Sequence, residues 1–156
     1  MANVEHSALT GSDLHEPKGV STAASNTVYV ANGAGSGSWS PTQLVFTGEI
    51  PDLNTSDTIY IPVPYAGSVV KFHITLDSSF SFSGSNPVVT IQNSGGTAMT
   101  NGSITITASG SSSGQTYAAT PTALNTVSAD SHVRVNTSGG GTGPTKVWFS
   151  FVLERS

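Results

Sequence analysis

The fold class is decided by residues 70–76, which read Val-Lys-Phe-His-Ile-Thr-Leu. Apolar and polar side chains alternate at every position, as they do in a strand with one face in a core and the other in solvent. Residues 146–153 form a second such run, in which four odd-numbered apolar residues share one face. Trp148 and Val152 lie on the opposite face, so we expect them to contact a neighbouring subunit. The alternative is that a loop or the N-terminal arm of the same chain covers Trp148.

Short runs of this kind recur along the rest of the chain, separated by Gly, Pro and Asn. They are residues 44–47, 58–63, 70–76, 87–91, 103–107, 124–127, 132–135 and 146–153. About eight short strands spaced roughly 10–15 residues apart are typical of a β-sandwich. Because no segment is long enough for a helical crossover, parallel α/β folds are excluded. We predict an all-β fold, an antiparallel jelly-roll sandwich of about eight strands.

Composition excludes several classes of protein. The 156 residues include five Lys and Arg against nine Asp and Glu, with a net charge of −4 and no basic block, so we expect no nucleic-acid partner. No apolar run reaches the ~18–20 residues of a membrane span, and the first residues lack the pattern of a secretory signal, so we expect no membrane partner. Zero cysteines exclude disulfides and thiolate metal sites.

Residues 1–40 differ from the rest, because most of them show no strand or helix periodicity. Within them, residues 27–31 predict a strand that runs into the glycine-rich turn 32–38, and we expect a β-hairpin with Trp39 packed over small residues opposite it. This segment has too few apolar residues to fold alone, so we expect it to become ordered on a partner surface. We therefore predict two parts, an extended N-terminal arm with a hairpin (1–40) and a jelly-roll domain (41–156).

Motifs for metal or phosphate binding are weak. The glycine-rich residues 33–37 lack the lysine and the following helix of a phosphate loop. Asp52, Asn54 and Asp57 are spaced like the start of a calcium loop, but Asp57 stands where that loop has Gly and Val63 where it has Glu. Their alternative role is to build a turn before a strand, and the sequence leaves calcium open.

Catalytic motifs are equally weak. The four histidines are scattered, there is no Gly-x-Ser-x-Gly turn, and the acidic residues form no close pair of the glycosidase type. We expect a protein that is not an enzyme, without catalytic residues, cofactor or metal.

A resemblance rests on two stretches of the arm, residues 15–20 (His-Glu-Pro-Lys-Gly-Val) and residues 27–39 (Thr-Val-Tyr-Val-Ala-Asn-Gly-Ala-Gly-Ser-Gly-Ser-Trp). Together they resemble the N-termini of tailed-bacteriophage virion proteins, namely capsid decoration (cement) proteins, head fibres and some tail-fibre subunits. In that family the arm anchors the protein to the virion and a trimeric β-domain projects outward. Within such an arm, we expect the apolar residues Leu14, Val20, Tyr29 and Trp39 to provide the area buried on the capsid. His15, Glu16 and Lys18 either form charge-assisted bonds to the capsid or are ordinary surface residues around Pro17.

The function implied by the resemblance is that of a structural virion protein. It would bind the major capsid protein on the outer surface of the capsid and stabilise the head as a homotrimer, after assembly in the host bacterial cytoplasm. The alternative is a tail-fibre or receptor-binding adhesin module, in which exposed loops such as residues 109–115, together with Tyr117, bind a host glycan.

Overall fold

The computed structural model describes residues 22–34, 37–77, 86–107, 111–140 and 145–156. The chain divides into two compact units, Met1–Pro41 and Thr42–Ser156. All regular structure in the described ranges is β-strand, apart from a single residue of 3₁₀ conformation at Thr22. None of the described residues belongs to a helix long and apolar enough to cross a membrane.

The first unit contains a two-stranded antiparallel hairpin. Its strands are β1 (Thr27–Ala31) and β2 (Gly37–Pro41). The register places Tyr29 directly opposite Trp39, so the expectation that Trp39 covers small residues is wrong. The small residues lie on the other face, where Ser38 and Ser40 are opposite the two valines of β1.

The second unit is a sandwich of two antiparallel sheets. Sheet I contains, in spatial order, β3 (Gln43–Ile50), β11 (Val147–Arg155), β5 (Gly67–Leu76) and β8 (Thr116–Ala119), and the two-residue β9 (Thr126–Val127) also pairs with β5. Sheet II contains β4 (Ser56–Val63), β10 (Ser131–Ser138), β6 (Val88–Gln92) and β7 (Ala98–Thr105). Successive strands mostly alternate between the sheets, and this four-plus-four order confirms the predicted jelly roll.

Two strand predictions differ from the structure. Residues 124–127 do not form a full strand, because only β9 pairs with the start of β5. The strand that occupies this place in sheet I is β8, which begins just after the predicted loop 109–115 and pairs with β5. Its sequence, Thr-Tyr-Ala-Ala, is short and ends in two alanines, which have low β-propensity, so the strand depends on β5 for its hydrogen-bonding partner.

The core lies between the two inner faces. Phe72, Phe151 and Ile74 are fully buried, and Phe46 stacks on Phe151 with ring centroids 4.9 Å apart. The alternation predicted for residues 70–76 holds from Phe72 onward, since the side chains at 72, 74 and 76 point into this core. It is wrong at Val70, which is half-buried while Val69 is buried instead, because the pairing of β5 with β11 shifts register between Val152 and Leu153. Gly48 lies opposite Phe149 in the ladder, and a Cβ at that position would overlap the phenyl ring. The absence of a side chain at residue 48 therefore makes room for an aromatic residue of the core.

Candidate functional site

Five of the seven predicted anchoring residues lie outside the described residues. They are Leu14, His15, Glu16, Lys18 and Val20. The other two, Tyr29 and Trp39, contact each other across the hairpin, with ring centroids 5.4 Å apart and an edge-to-face angle of 64°. The aromatic pair therefore packs within the hairpin and fixes its register.

The hairpin carries apolar surface that its own unit does not bury. None of the ten residues in β1 and β2 is buried, and the side chains of Val28 and Val30 are 48% and 49% exposed on the same face. A two-stranded hairpin is marginally stable in water unless another surface covers it. The valine face of β1 is therefore a candidate contact surface.

A second apolar surface lies on the outer face of sheet I. Trp148 is 46% exposed, Val152 is half-buried, and Val45, which lies directly opposite Val152 in the ladder, is 66% exposed. We call Val45, Trp148 and Val152 the sheet I patch. The alternation of β11 correctly places Trp148 and Val152 on the face away from the core, and the structure adds Val45 to them.

Two charged side chains, Lys146 and Asp77, lie beside Trp148 of the sheet I patch. The Lys146 ammonium lies 4.8 Å from the centre of the Trp148 ring, and its Nζ atom is 3.9 Å from a carboxylate oxygen of Asp77. Because all three side chains are at least partly exposed, these contacts orient the indole without covering it.

The outer face of sheet II carries a different cluster. The register places Arg134 opposite Tyr60 on one side and opposite Gln92 on the other. The Arg134 guanidinium lies 5.2 Å from the centre of the Tyr60 ring, and the His132 imidazole meets the same ring edge-on at 5.3 Å. Tyr60 is 58% exposed. We call Tyr60, Gln92, His132 and Arg134 the sheet II cluster.

The guanidinium of Arg134 is held in place but has no acceptor. Among the described residues it makes no hydrogen bond and has no carboxylate within 4 Å, and its Nε atom is buried without a partner. A Cβ at Gly96 would overlap its Nη1 atom, so the turn between β6 and β7 packs directly against it. The N–H donors of the two Nη atoms therefore have no protein acceptor among the described residues, while the Nε–H is buried.

The described part of the predicted glycan-binding loop is largely exposed, as expected, but it is attached to sheet I by hydrogen bonds. In its described part, Ser113 donates its hydroxyl to Asp77 O and Gly114 N–H donates to Leu76 O, so both residues are tied to the end of β5. Tyr117 is half-buried and packs against the core, with a buried hydroxyl that has no partner. Tyr117 is therefore a structural residue of sheet I, and its assignment to a surface site is wrong.

Of the three residues spaced like a calcium loop, Asp52 and Asn54 lie at a turn, and Asp57 is the second residue of β4. Asp52 Oδ1 accepts hydrogen bonds from the Asn54 N–H (2.9 Å) and the Thr145 N–H (3.3 Å), and Oδ2 accepts one from the Thr55 hydroxyl (3.0 Å). The hydrogen bond from the Asn54 N–H is the main reason that the pKa of the Asp52 carboxyl is below its ordinary value. Partial burial of this carboxyl acts in the opposite direction and raises its pKa. The carboxylate oxygens are thus occupied by protein donors.

No cluster of three or more His, Asp or Glu side chains suited to a metal ion occurs within the described ranges. His73 and His132 lie on the outer faces of different sheets, and His6 and His15 precede the described residues.

Sequence reasoning missed several surface residues. It gave no role to the valine face of β1, to Val45 or to the sheet II cluster. The available signal was strand alternation, which assigns each of these side chains to an outward face. The pairing of residue 60 with residue 134 depends on the register of strands distant in sequence, which alternation does not specify.

Comparisons with known proteins add a fold-level likeness. No protein-family model and no curated protein sequence matches the chain. Among solved structures, a chain of the cyanophage Pam1 capsid asymmetric unit is similar, with 17% identity and a TM-score of 0.47, over 74% of this chain and 86% of that one.

Proposed function

We propose that this chain is a structural virion protein of a tailed bacteriophage. In this proposal the arm, residues 1–40, binds the major capsid protein on the outer surface of the head. The jelly roll projects from the surface as part of a homotrimer and stabilises the capsid. The role is one of binding and not of catalysis.

The observation that carries the proposal is the hairpin with its uncovered valine face. Its aromatic pair fixes the register of the two strands, while Val28 and Val30 remain about half exposed. A segment that already forms a hairpin loses less conformational entropy on binding than an unstructured one, so this hairpin is suited to docking on another protein. The resemblance of residues 15–20 and 27–39 to phage virion arms supports the major capsid protein as the partner.

The sheet I patch supports self-association. Trp148, Val152 and Val45 are apolar side chains on the outer face of a sheet whose inner face already covers the core. Aromatic residues are enriched in protein interfaces and often contribute most to their affinity. A trimer would also bring three arms to one capsid site and raise the apparent affinity by roughly 10²–10⁴ over a single arm.

Deletion variants test the proposal. Heads of the parent phage that lack the protein are mixed with the full chain, with a variant lacking residues 1–25 and with one lacking residues 1–41, and bound protein is measured by co-sedimentation. We expect both deletions to abolish binding while the oligomeric state and the melting temperature of the jelly roll are kept. If the deleted proteins still decorate heads, the arm is not the anchor.

The second candidate function is that of a tail-fibre adhesin, and the exposed sheet II cluster is the observation that favours it. The two candidates differ in copy number. A decoration protein is present in hundreds of copies per virion and a tail-tip protein in tens or fewer, a difference that quantitative mass spectrometry of purified virions resolves.

A further inference from the structure

We infer that the sheet II cluster is a binding site for a saccharide that carries a carboxylate, such as a uronic acid unit of an acidic polysaccharide. The inference concerns the jelly roll alone. It holds whether the protein sits on the head or on the tail, so its test can fail or succeed independently of the proposed anchoring function.

The first argument is charge complementarity. The Arg134 guanidinium has no hydrogen-bond acceptor and no ion-pair partner among the described residues, although the chain has more acidic than basic residues overall. A planar guanidinium with free donors matches the two oxygens of a carboxylate, which it binds through paired hydrogen bonds. A carboxylate is therefore a suitable ligand for this guanidinium.

The second argument is orientation. The guanidinium lies 5.2 Å from the centre of the Tyr60 ring and also close to the turn at Gly96, where a Cβ would meet its Nη1 atom. Gly96 adopts a φ of 81°, a conformation that side chains rarely tolerate. The turn thus approaches Arg134 closely, and this side chain loses less entropy when a ligand binds than a free surface arginine would.

The third argument separates a sugar from a simple anion. Tyr60 offers an exposed aromatic ring next to the cation, and Gln92, directly across from Arg134, provides an amide donor and acceptor with no described partner. An apolar ring with a few convergent polar groups is the usual lining of a site for a small organic ligand. A sugar ring has both an apolar face and hydroxyl groups, so it matches both features.

Space for a neighbouring sugar unit lies next to the cluster. Pro62 is opposite His132 in the ladder, and together with Pro64, Asp130 and Ser131 it lines an open cleft of about 430 Å³. This volume lies within the range of roughly 300–1,000 Å³ of small-molecule sites. The carboxylate of Asp130 and the hydroxyl of Ser131 are suited to accept hydrogen bonds from sugar hydroxyls, so we expect an oligosaccharide to bind more tightly than one unit.

The test uses polygalacturonate, immobilised on a biosensor surface, as the probe. Two control polymers are immobilised in the same way. Methyl-esterified polygalacturonate has the sugar without the negative charge, and polyglutamate has carboxylates without the sugar. We expect the full chain to bind polygalacturonate at least about tenfold more tightly than either, since hydrogen bonds to charged groups are the strong ones. Equal binding to polyglutamate would show an acidic-polymer site without sugar recognition and would overturn the inference, as would absence of binding to polygalacturonate.

Matched variants locate the site. Arg134→Gln and Lys71→Gln each remove one positive charge, the first from the outer face of sheet II and the second from that of sheet I. Tyr60→Ser and Tyr65→Ser each remove one exposed tyrosine ring. We expect R134Q and Y60S to weaken binding at least about tenfold and K71Q and Y65S to leave it within about twofold. Equal losses from both members of either pair would refute the assignment to this cluster.

Two more measurements separate a binding role from a structural one. Arg134→Lys keeps the charge but not the planar fork, so we expect binding between that of the wild type and R134Q, with an unchanged melting temperature. In NMR titrations with oligogalacturonate, the Arg134 Nε–H resonance should shift in a saturable manner. Full binding by R134K, or no shift of this resonance, would contradict recognition by the guanidinium.

Discussion

Tyr29 and Trp39 face each other across the hairpin, with ring centroids 5.4 Å apart and ring planes at 64°. Each ring is provided by a different strand at directly paired positions, so the contact can form only in this register. The pair stabilises the hairpin and leaves the valine face of β1 for another surface. In this hairpin, Tyr29 and Trp39 therefore hold the two strands together, and Val28 and Val30 on the opposite face are free to contact another protein.

Removing the aromatic pair should loosen the hairpin. We expect Trp39→Ala to speed amide hydrogen exchange at Tyr29 and Ala31 by about 2–12-fold, since edge-to-face pairs contribute about 0.5–1.5 kcal/mol beyond their buried area. The exchange of Phe72 and Phe151 amides in the jelly roll should not change. Unchanged exchange in β1 would show that the rings do not hold the two strands together.

The valine face of β1 should contribute to binding of the capsid but little to the folding stability of the protein. We expect Val28→Thr together with Val30→Thr to lower binding to undecorated heads at least about tenfold, because truncated apolar anchors cost about 1–3 kcal/mol at interfaces. Since threonine has nearly the shape of valine and both sites are half exposed, the melting temperature should stay the same. Leu124→Asn, which removes another exposed apolar side chain of the jelly roll, is the control and should leave binding unchanged.

The sheet I patch should carry self-association. We expect Trp148→Ser to shift the protein from trimer to monomer at micromolar concentration in analytical ultracentrifugation, because an aromatic residue at an interface centre typically contributes about 2 kcal/mol or more. Val30→Thr in the hairpin serves as the control and should leave the trimer intact. A trimer that persists in W148S would place the subunit contact elsewhere.

The turn at Asp52 should give part of the jelly roll's stability. We expect Asp52→Ala to lower the free energy of unfolding by about 1–3 kcal/mol, because the Thr145 N–H loses its acceptor in a partly buried position. Asp52→Asn keeps one oxygen acceptor and should cost less. Both are measured by urea denaturation at pH 7.

The same turn predicts a pH dependence. The folded pKa of Asp52 is lowered from 3.8, so its contribution is fully present above the unfolded pKa. That contribution is lost as the pH falls below 3.8 and through the lower folded value. The stability difference between wild type and Asp52→Asn should therefore shrink as the pH falls below about 4. A difference that is constant from pH 7 to pH 2 would rule out this charged interaction.

Close packing at Gly48 offers a test of the core. Alanine at this position would place its methyl group inside the Phe149 ring, so we expect Gly48→Ala to cost about 1–3 kcal/mol of stability through overpacking. Gly95→Ala is the control, since a Cβ there meets only an ordinary contact at 3.4 Å. Equal stabilities of the two variants in thermal denaturation would contradict the packing of β3 against β11.

Much of the fold could be predicted from strand alternation. Residues 72–76 have the expected buried face, Val70 departs from it at a register shift, and Trp148 and Val152 are on the face predicted for them. Strand β8 could not be predicted, since Thr-Tyr-Ala-Ala has a weak local preference and depends on pairing with β5. For the same reason the contact of Tyr60 with Arg134, which joins residues far apart in sequence, required the register of β4 and β10.

The central claim is that the arm with its hairpin attaches the protein to the capsid. The most direct measurement is the binding of undecorated heads by residues 1–41 alone, fused to an unrelated trimeric carrier, beside the isolated jelly roll 42–156. The account predicts saturable binding by the fusion and none by the jelly roll. Binding by the jelly roll, with none by the fusion, would contradict it.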